Sequence, residues 1–457
     1  LDGEIPLSGL HAPVEVLFDT AGVPHVYARD PDDAWFAAGV MHARDRLWQM
    51  ELYRRVTLGR LSEALGEATL RIDKRMLSLD LRGRAEADWK QAGPAARMAL
   101  ERYAEGVNAH VASLTTLRQR PLEMQLLGLV PSAWTPVDSM AVARLMAWRL
   151  SENHQSELAR GALATKLGAD AARALAGRYP GDAPAVIDSP PPKPELNLPE
   201  PPRTPQNPPE PPRTSQNLPE PPQTWPHALR WLHPSARRGN SNAWVVAPSR
   251  SETARPILAN DPHLQIEFPA VWYEMHLVGA GLDVIGVTLP GLPFVLIGHN
   301  SRIAWGFTNS GADVQDLYLE RLDLSRRQYQ TPGGWQPAQV TRVEIPVRNR
   351  ARPEPFDIWR TPRGPIYAEP GADWEEPPAW MTPGAAATEA ARSTVSAYAL
   401  RWDVEGDIGG SIEALNRASD WASFLAAIEG FAFPSQNIAY ADVDGNIGYA
   451  LGGQVPT

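Results

Sequence analysis

The sequence predicts an α+β protein, and three observations predict it. Roughly the first 180 residues are patterned mainly as helices. A proline-dense stretch follows, and from about residue 241 the pattern changes to short strands separated by Gly, Pro and Asn. The expected organisation is therefore a helical segment over 1–188, a spacer over 189–240 and a strand-rich segment over 241–457.

The elements follow in chain order. Val14, Val16 and Phe18 alternate, and Val23, His25 and Val26 come next, which predicts short strands within 12–29. Asp30-Pro31-Asp32-Asp33 is a strong helix start: a capping Asp, a proline in the first turn and two carboxylates at the positive end of the dipole. Leu47, Met50, Leu58, Leu61 and Leu65 continue at helical spacing. Further helices are expected over 94–115 and over 136–166, the latter opened by Thr135-Pro136.

Between Ser189 and Pro226 lie 16 of the chain's 46 prolines, arranged in a ten-residue repeat that starts at Asn197, Asn207 and Asn217. Too few backbone donors remain there for helix or sheet, so the stretch reads as an extended linker. Beyond it, strands are expected at Ala243–Val246, Ile257–Asn260, Trp272–Val278, Leu282–Thr288 and Phe294–Gly298. Ile438–Asp442 and Ile447–Leu451 flank the turn signal Asp444-Gly445. The sharpest boundary in the chain falls at Ser241.

Composition narrows the function. At 457 residues with 43% hydrophobic and 21% charged, the chain can bury a large core. A net charge of -10 with no basic stretch excludes nucleic acid as the expected partner. With no cysteine, disulfides, thiolate catalysis and zinc–thiolate sites are excluded. No apolar run approaches the ~18 residues of a membrane span, so no membrane anchor is visible. The opening on Leu1 fits removal of a leader, and the stop at Thr457 directly after a hairpin signal suggests truncation at the C-terminus.

Motifs of several common hydrolases are missing. Gly409-Gly410-Ser411-Ile412-Glu413 approaches the serine-hydrolase elbow but lacks its second glycine. No H-E-x-x-H and no phosphate-binding glycine loop occurs. What remains is the segment from Arg237 to Val246, centred on Gly239-Asn240-Ser241-Asn242.

This segment resembles the start of the catalytic chain of the penicillin acylases, members of the N-terminal-nucleophile hydrolases. The resemblance continues in order through Ile257–His263, Trp272–Leu277, Gly286–Gly291, Gly298–Asn309, Asp313–Tyr318 and Tyr440–Tyr449. Upstream, Gly22-Val23-Pro24-His25 and the run from His42 to Met50 are similar to the family's smaller chain. The resemblance implies an αββα sandwich and a precursor that cuts itself between Asn240 and Ser241 into α and β chains. It implies hydrolysis of an acyl side chain from a small-molecule amide, of the β-lactam or acyl-homoserine-lactone type.

The implied chemistry has a physical basis. Cleavage frees the Ser241 α-amino group, whose ordinary pKa of about 7.7–8.0 lets it accept the hydroxyl proton near neutral pH. By resemblance, His263 lies near that amine and the backbone N–H of Asn309 is one oxyanion donor. The second donor, an asparagine side chain, and an accompanying arginine are expected past Thr457. Loss of one such donor typically costs roughly 2.7–4 kcal/mol of transition-state stabilisation.

Leu264, Ile297 and Phe307 are expected to line the acyl pocket. Aromatic-acyl-selective relatives carry phenylalanine at the first two of these positions, which points here to aliphatic acyl chains. Glu157, Asp313 and Asp316 are the expected ligands of a structural calcium ion, a hard cation that takes oxygens. No organic cofactor is implied, and relatives are mostly periplasmic or extracellular. Plainer readings stay open on the residues alone: a loop serine at 241, a structural histidine at 263, and solvated acids at the calcium positions. The rival from another class is an inactive scaffold of the same fold with the proline repeat as a docking arm.

Overall fold

A computed structural model describes residues 3–151, 153–175, 241–264, 267–369, 377–382 and 394–456. The spacer expected over 189–240 lies outside the described residues, and so does Asn240. By internal contacts the chain forms two units, one of Leu1–Leu158 with Trp225–Thr457 and another of Ala159–Thr224.

In the larger unit the first segment supplies strands β1 (Glu15–Phe18) and β2 (Pro24–Tyr27). Helices α1 (Pro31–Thr57), α2 (Ser62–Leu65), α3 (Leu70–Leu79), α4 (Leu81–Gln91), α5 (Pro94–Ser113), α6 (Leu122–Leu127) and α7 (Pro136–Leu150) follow. Helix α8 (His154–Leu167) begins in this unit. In the smaller unit, α8 continues and α9 (Ala169–Leu175) carries an exposed Arg173–Asp170 pair at 2.7 Å.

The second segment opens with β3 (Ser241–Val246) and β4 (Ile257–Pro262), then β5 (Tyr273–Gly279), β6 (Leu282–Thr288), β7 (Val295–Asn300) and β8 (Ile303–Asn309). Next come β9 (Asp316–Asp323), β10 (Gln328–Thr331), β11 (Gly334–Pro337), β12 (Gln339–Ile345), β13 (Glu354–Thr361), β14 (Gly364–Ala368) and β15 (Thr394–Arg401). Helices α10 (Ile408–Arg417) and α11 (Trp421–Glu429) precede the final hairpin, β16 (Gln436–Asp442) and β17 (Ile447–Gly452).

Strands from both segments build one eight-stranded sheet, in the order β1-β2-β5-β6-β7-β8-β16-β17. The seam is β2 on β5, parallel, with His25 opposite His276, whereas the other neighbours are antiparallel. A second sheet has seven strands in the order β11-β10-β9-β15-β14-β13-β12, and its Tyr367, Ala368 and Leu400 share the core of the first. The third sheet is the ribbon β3-β4, which lies against β8 and β16. α1 packs on β2 and β5 and α10 on β6 and β7, which gives a helix layer, the large sheet and the ribbon. The α+β expectation thus agrees with the structure; a second helical layer is not seen among the described residues. No described helix is long and apolar enough to cross a membrane.

Local chemistry explains the helices. The Asp30 carboxylate accepts from Asp33 N at 2.9 Å, with Pro31 at the first position. α1 then crosses α5 at two glycines. A Cβ on Gly39 would lie 2.1 Å from Tyr103 O, and one on Gly106 would lie 1.9 Å from Phe36 O. Only hydrogens fit between these backbones. The helical spacing that continues to Leu65 does not make one helix: α1 stops at Thr57, and Gly59 at φ +61 turns the chain into α2. Nor is 136–166 continuous, since it divides between α7 and α8 where Asn153 is engaged by the second segment.

Two buried polar clusters join the layers. Arg144 on α7 makes a bidentate pair with Asp88 on α4, both bonds at 2.5 Å, and donates to Val404 O at 2.9 Å. Its guanidinium lies 3.8 Å from the centroid of Phe433. The second cluster surrounds His42, which is fully buried. Gly291 N donates to Tyr103 Oη at 2.9 Å, Tyr103 Oη lies 2.8 Å from His42 Nδ1, and Thr288 Oγ1 lies 2.8 Å from His42 Nε2. Thr288 Oγ1 donates to Tyr273 O, so it accepts from His42, and the neutral Nε2–H tautomer satisfies every bond.

Burial, with a smaller push from Arg46, drives the His42 pKa from 6.5 down to about 3. The unfolded chain therefore binds a proton below pH 6.5 that the folded chain refuses until about pH 3. Stability from this group is complete above pH 6.5 and falls by about 1.4 kcal/mol per pH unit beneath it. Asp73 acts in the opposite sense, because burial raises its carboxyl to about 6. Its folded-state proton favours folding most at low pH, and that contribution is lost as pH rises to about 6. Comparison with His42→Gln cancels the Asp73 effect. Urea midpoints measured at pH 7 and pH 5 should drop more steeply for the wild type than for this variant; equal slopes would refute the neutral buried imidazole.

Candidate active site

The site lies where the large sheet opens. β7 pairs with β8 only through Gly298↔Trp305 and His299↔Ala304, while β8 runs on beside β16 as far as Asn309↔Gln436. Beyond Trp305 the two strands separate. The peptide groups of Phe307 that would have faced β7 meet the Asn260 side chain instead. Asn260 Oδ1 accepts from Phe307 N at 2.9 Å, and Asn260 Nδ2 donates to Phe307 O at 3.0 Å and to Asn242 O at 2.9 Å. One carboxamide thus replaces a strand peptide and fastens the ribbon to the sheet. Gly306 makes the approach possible, since a Cβ there would lie 2.7 Å from Asn260 Cβ.

A cavity of about 90 Å³ fills the gap. Ser241, at the head of β3 opposite Pro262, lines it. Leu264, Ile297, Phe307 and Asn309 line it too, so five residues singled out from the sequence surround one space. Ala143, Met146 and Leu150 of α7 also contribute to the wall, as do Trp272, Leu289, Leu292, Leu296, Ile408 and Ile412. Phe431, Phe433, Pro434 and Gln436 complete it. The Phe307 and Phe431 rings meet edge to face at 5.6 Å. Asn309 is held by its side chain, whose Nδ2 donates to Leu150 O at 2.9 Å. Beside the cavity-lining Leu150, Arg149 pairs with Glu267 at 2.8 Å, and burial raises the Glu267 carboxyl above its usual range.

His263 follows Pro262, the strand partner of Ser241. It does not line the cavity; its side chain is 49% exposed and its Nε2 lies 2.7 Å from Asp261 Oδ2. β4 ends at Pro262, and a tight turn follows in which Leu264 N donates to Pro262 O at 3.0 Å.

The three acids expected around calcium do converge. One oxygen each of Glu157, Asp313 and Asp316 lies within 4.8 Å of the others. Asn153 organises them: its Oδ1 accepts from Gln315 N at 3.0 Å, and its Nδ2 donates to Asp313, to Glu157 Oε1 at 3.1 Å and to Gln315 O at 2.7 Å. Glu157 Oε2 accepts from Leu317 N at 2.8 Å.

Several residues here had no sequence signal of their own. Asn260 sits inside a matched motif, yet its role depends on a strand 47 residues away. Gln436, Phe431, Phe433, Ile408 and Ile412 enter the wall only through the packing of α10 and β16.

Fold and site together define an apolar cavity lined by a serine at the head of a strand. The chain belongs to the penicillin amidase family, whose description it matches over residues 13–457. It is 34% identical to the penicillin acylase 2 proenzyme of Pseudomonas sp. (strain SE83), a similarity covering 100% of this chain and 54% of that protein. It is 34% identical to the acyl-homoserine lactone acylase QuiP of Pseudomonas aeruginosa over 80% of this chain and 41% of that one. Against the penicillin G acylase of Escherichia coli the identity is 27%, over 97% and 54% respectively. The chain spans about half the length of the curated relatives it matches.

Replacing Asn260 with alanine leaves both peptide groups of Phe307 without their side-chain partners. A loss of about 1–3 kcal/mol is expected from denaturant unfolding of Asn260→Ala. An unchanged midpoint would show that the ribbon is held by other means.

Proposed function

We propose that the protein hydrolyses an acyl side chain from a small-molecule amide, with Ser241 as its N-terminal nucleophile after scission of the Asn240–Ser241 bond. The observation that carries this is the shared cavity: Ser241, the acyl-pocket residues and Asn309 line one apolar space. Ser241 Oγ attacks the substrate carbonyl while its proton passes, through a water, to the Ser241 α-amino group. The backbone N–H of Asn309 donates to the oxyanion. Collapse expels the amine, which takes the proton, and leaves an acyl ester on Ser241. Water then hydrolyses that ester, releasing the carboxylic acid and restoring the hydroxyl. The second oxyanion donor is assigned to no residue of this chain, and His263, one residue past the strand partner of Ser241, would orient the new amine.

Leu264 and Ile297, with Met146, Leu150, Leu289 and Leu292, favour an aliphatic acyl group. Glu157, Asp313 and Asp316 would hold a calcium ion. Three carboxylates within one ion's reach offer an all-oxygen set that suits calcium. When bound, the ion would tie the first segment to the second; it takes no part in the chemistry. Export to the periplasm or beyond accords with this reading.

Three measurements test it. Mass spectrometry of full-length protein should find a new N-terminus at Ser241 that is absent in Ser241→Ala; an uncut wild-type chain would favour an inactive scaffold. The processed enzyme should cleave octanoyl amides faster than phenylacetyl amides, and equal rates would remove the aliphatic assignment. Calcium should raise the melting temperature, with about 2.7 kcal/mol of stabilisation at a hundredfold excess over Kd. Asp313→Asn should abolish that rise, and the same melting temperature in calcium and in chelator would refute the site.

A further inference from the structure

A second cavity, of about 310 Å³, shares no wall residue with the one at Ser241. Every residue of α1 from Ala43 to Gln49 lines it. In a regular helix such consecutive residues would be spread around the axis. Here Arg46, at φ -136 and ψ 17, departs from helical geometry, and the break falls at the centre of the lining run. His110 on α5, Arg120 and Glu123 add further polar groups to the wall, and Pro269 brings in the second segment.

Three arginines line this cavity, Arg44, Arg46 and Arg120, against two acids, Asp45 and Glu123, which leaves a positive surplus. The acids do not serve the two half-buried arginines, Arg46 and Arg120. Asp45 accepts from Tyr273 Oη at 2.6 Å and pairs with Arg44 at 3.5 Å, and Glu123 is exposed. Arg46 Nη1 donates to neutral acceptors, Ala270 O at 2.9 Å and Gln49 Oε1 at 3.3 Å. Arg120 Nη1 donates to Leu129 O at 3.1 Å. A guanidinium has several further N–H donors. Among the described residues those donors meet no acceptor, and neither arginine forms an ion pair. His110 likewise has no hydrogen bond to its ring there. Burial holds its pKa below 6.5, with Asp45 pulling up and Arg44 pushing down, so a neutral ring stands ready to donate or accept. Half-buried guanidiniums with open donors are best satisfied by an anion whose oxygens match their planar forks.

We infer that this cavity is a binding site for a small oxyanion, a carboxylate or a phosphate, held by Arg46 and Arg120. The inference does not depend on the amide hydrolysis proposed above. Isothermal titration of the full-length protein with succinate and with inorganic phosphate tests it, and erythritol serves as a neutral control of similar size. At least one anion should bind at one site per chain and erythritol should not; the tighter anion identifies the oxyanion. Arg46→Gln and Arg120→Gln should each weaken that binding by roughly tenfold or more. In the wild type, the bound anion should slow hydrogen exchange within residues 43–49 and 119–123. No binding of either anion at millimolar concentration, equal binding of erythritol, affinity unchanged in both variants, or protection confined to the segments around Ser241 would each overturn the site. Should both variants fail to fold, the exchange map of the wild type decides the matter.

Discussion

The site depends on one side-chain amide taking the place of a strand. Where β7 leaves β8, an edge of the sheet would otherwise be bare, and Asn260 covers it with the hydrogen-bond pattern of a peptide. The same carboxamide reaches Asn242 O, next to Ser241, so closing the edge and siting the serine are one event. The strand separation creates the cavity. The amide keeps it from being a defect, because buried backbone groups are tolerated only when paired.

A second constraint is the shared sheet. The first segment contributes β1 and β2, and its parallel seam with β5 places both sides of the proposed cleavage in a single core. His42 strengthens that union, since its two ring nitrogens reach one partner in each segment, Tyr103 and Thr288. Such cross-links are noncovalent and buried, so cutting the chain near residue 241 removes none of them. A precursor that matures by self-scission needs that property.

Much of this was legible in the sequence where the signal is local. The Asp30 cap, the strand onset at Ser241 and the hairpin around Asp444-Gly445 rest on neighbouring residues, and they stand where expected. In the hairpin, Asp442 collects Asp444 N at 3.0 Å and Asn446 N at 2.9 Å. Other features depend on distant partners. The seven-stranded sheet pairs 316–323 with 394–401, a register that no local pattern encodes. The break before α8 follows from Asn153 binding residues about 160 positions away. Nor does a local pattern show that β4 ends at Pro262 in a tight turn, with Leu264 N on Pro262 O at 3.0 Å.

The Arg144 guanidinium has a consequence for how this pocket can change. It lies over the ring of Phe433, a wall residue, while holding Asp88 in the interior. Reshaping the cavity at Phe433 thus disturbs a desolvated ion pair as well as the space for substrate. Leu264 follows the end of β4 and has no such burden. Divergence in acyl preference within this fold should accordingly run through positions like Leu264, with the aromatic floor held back by the cost of unseating a charge beneath it.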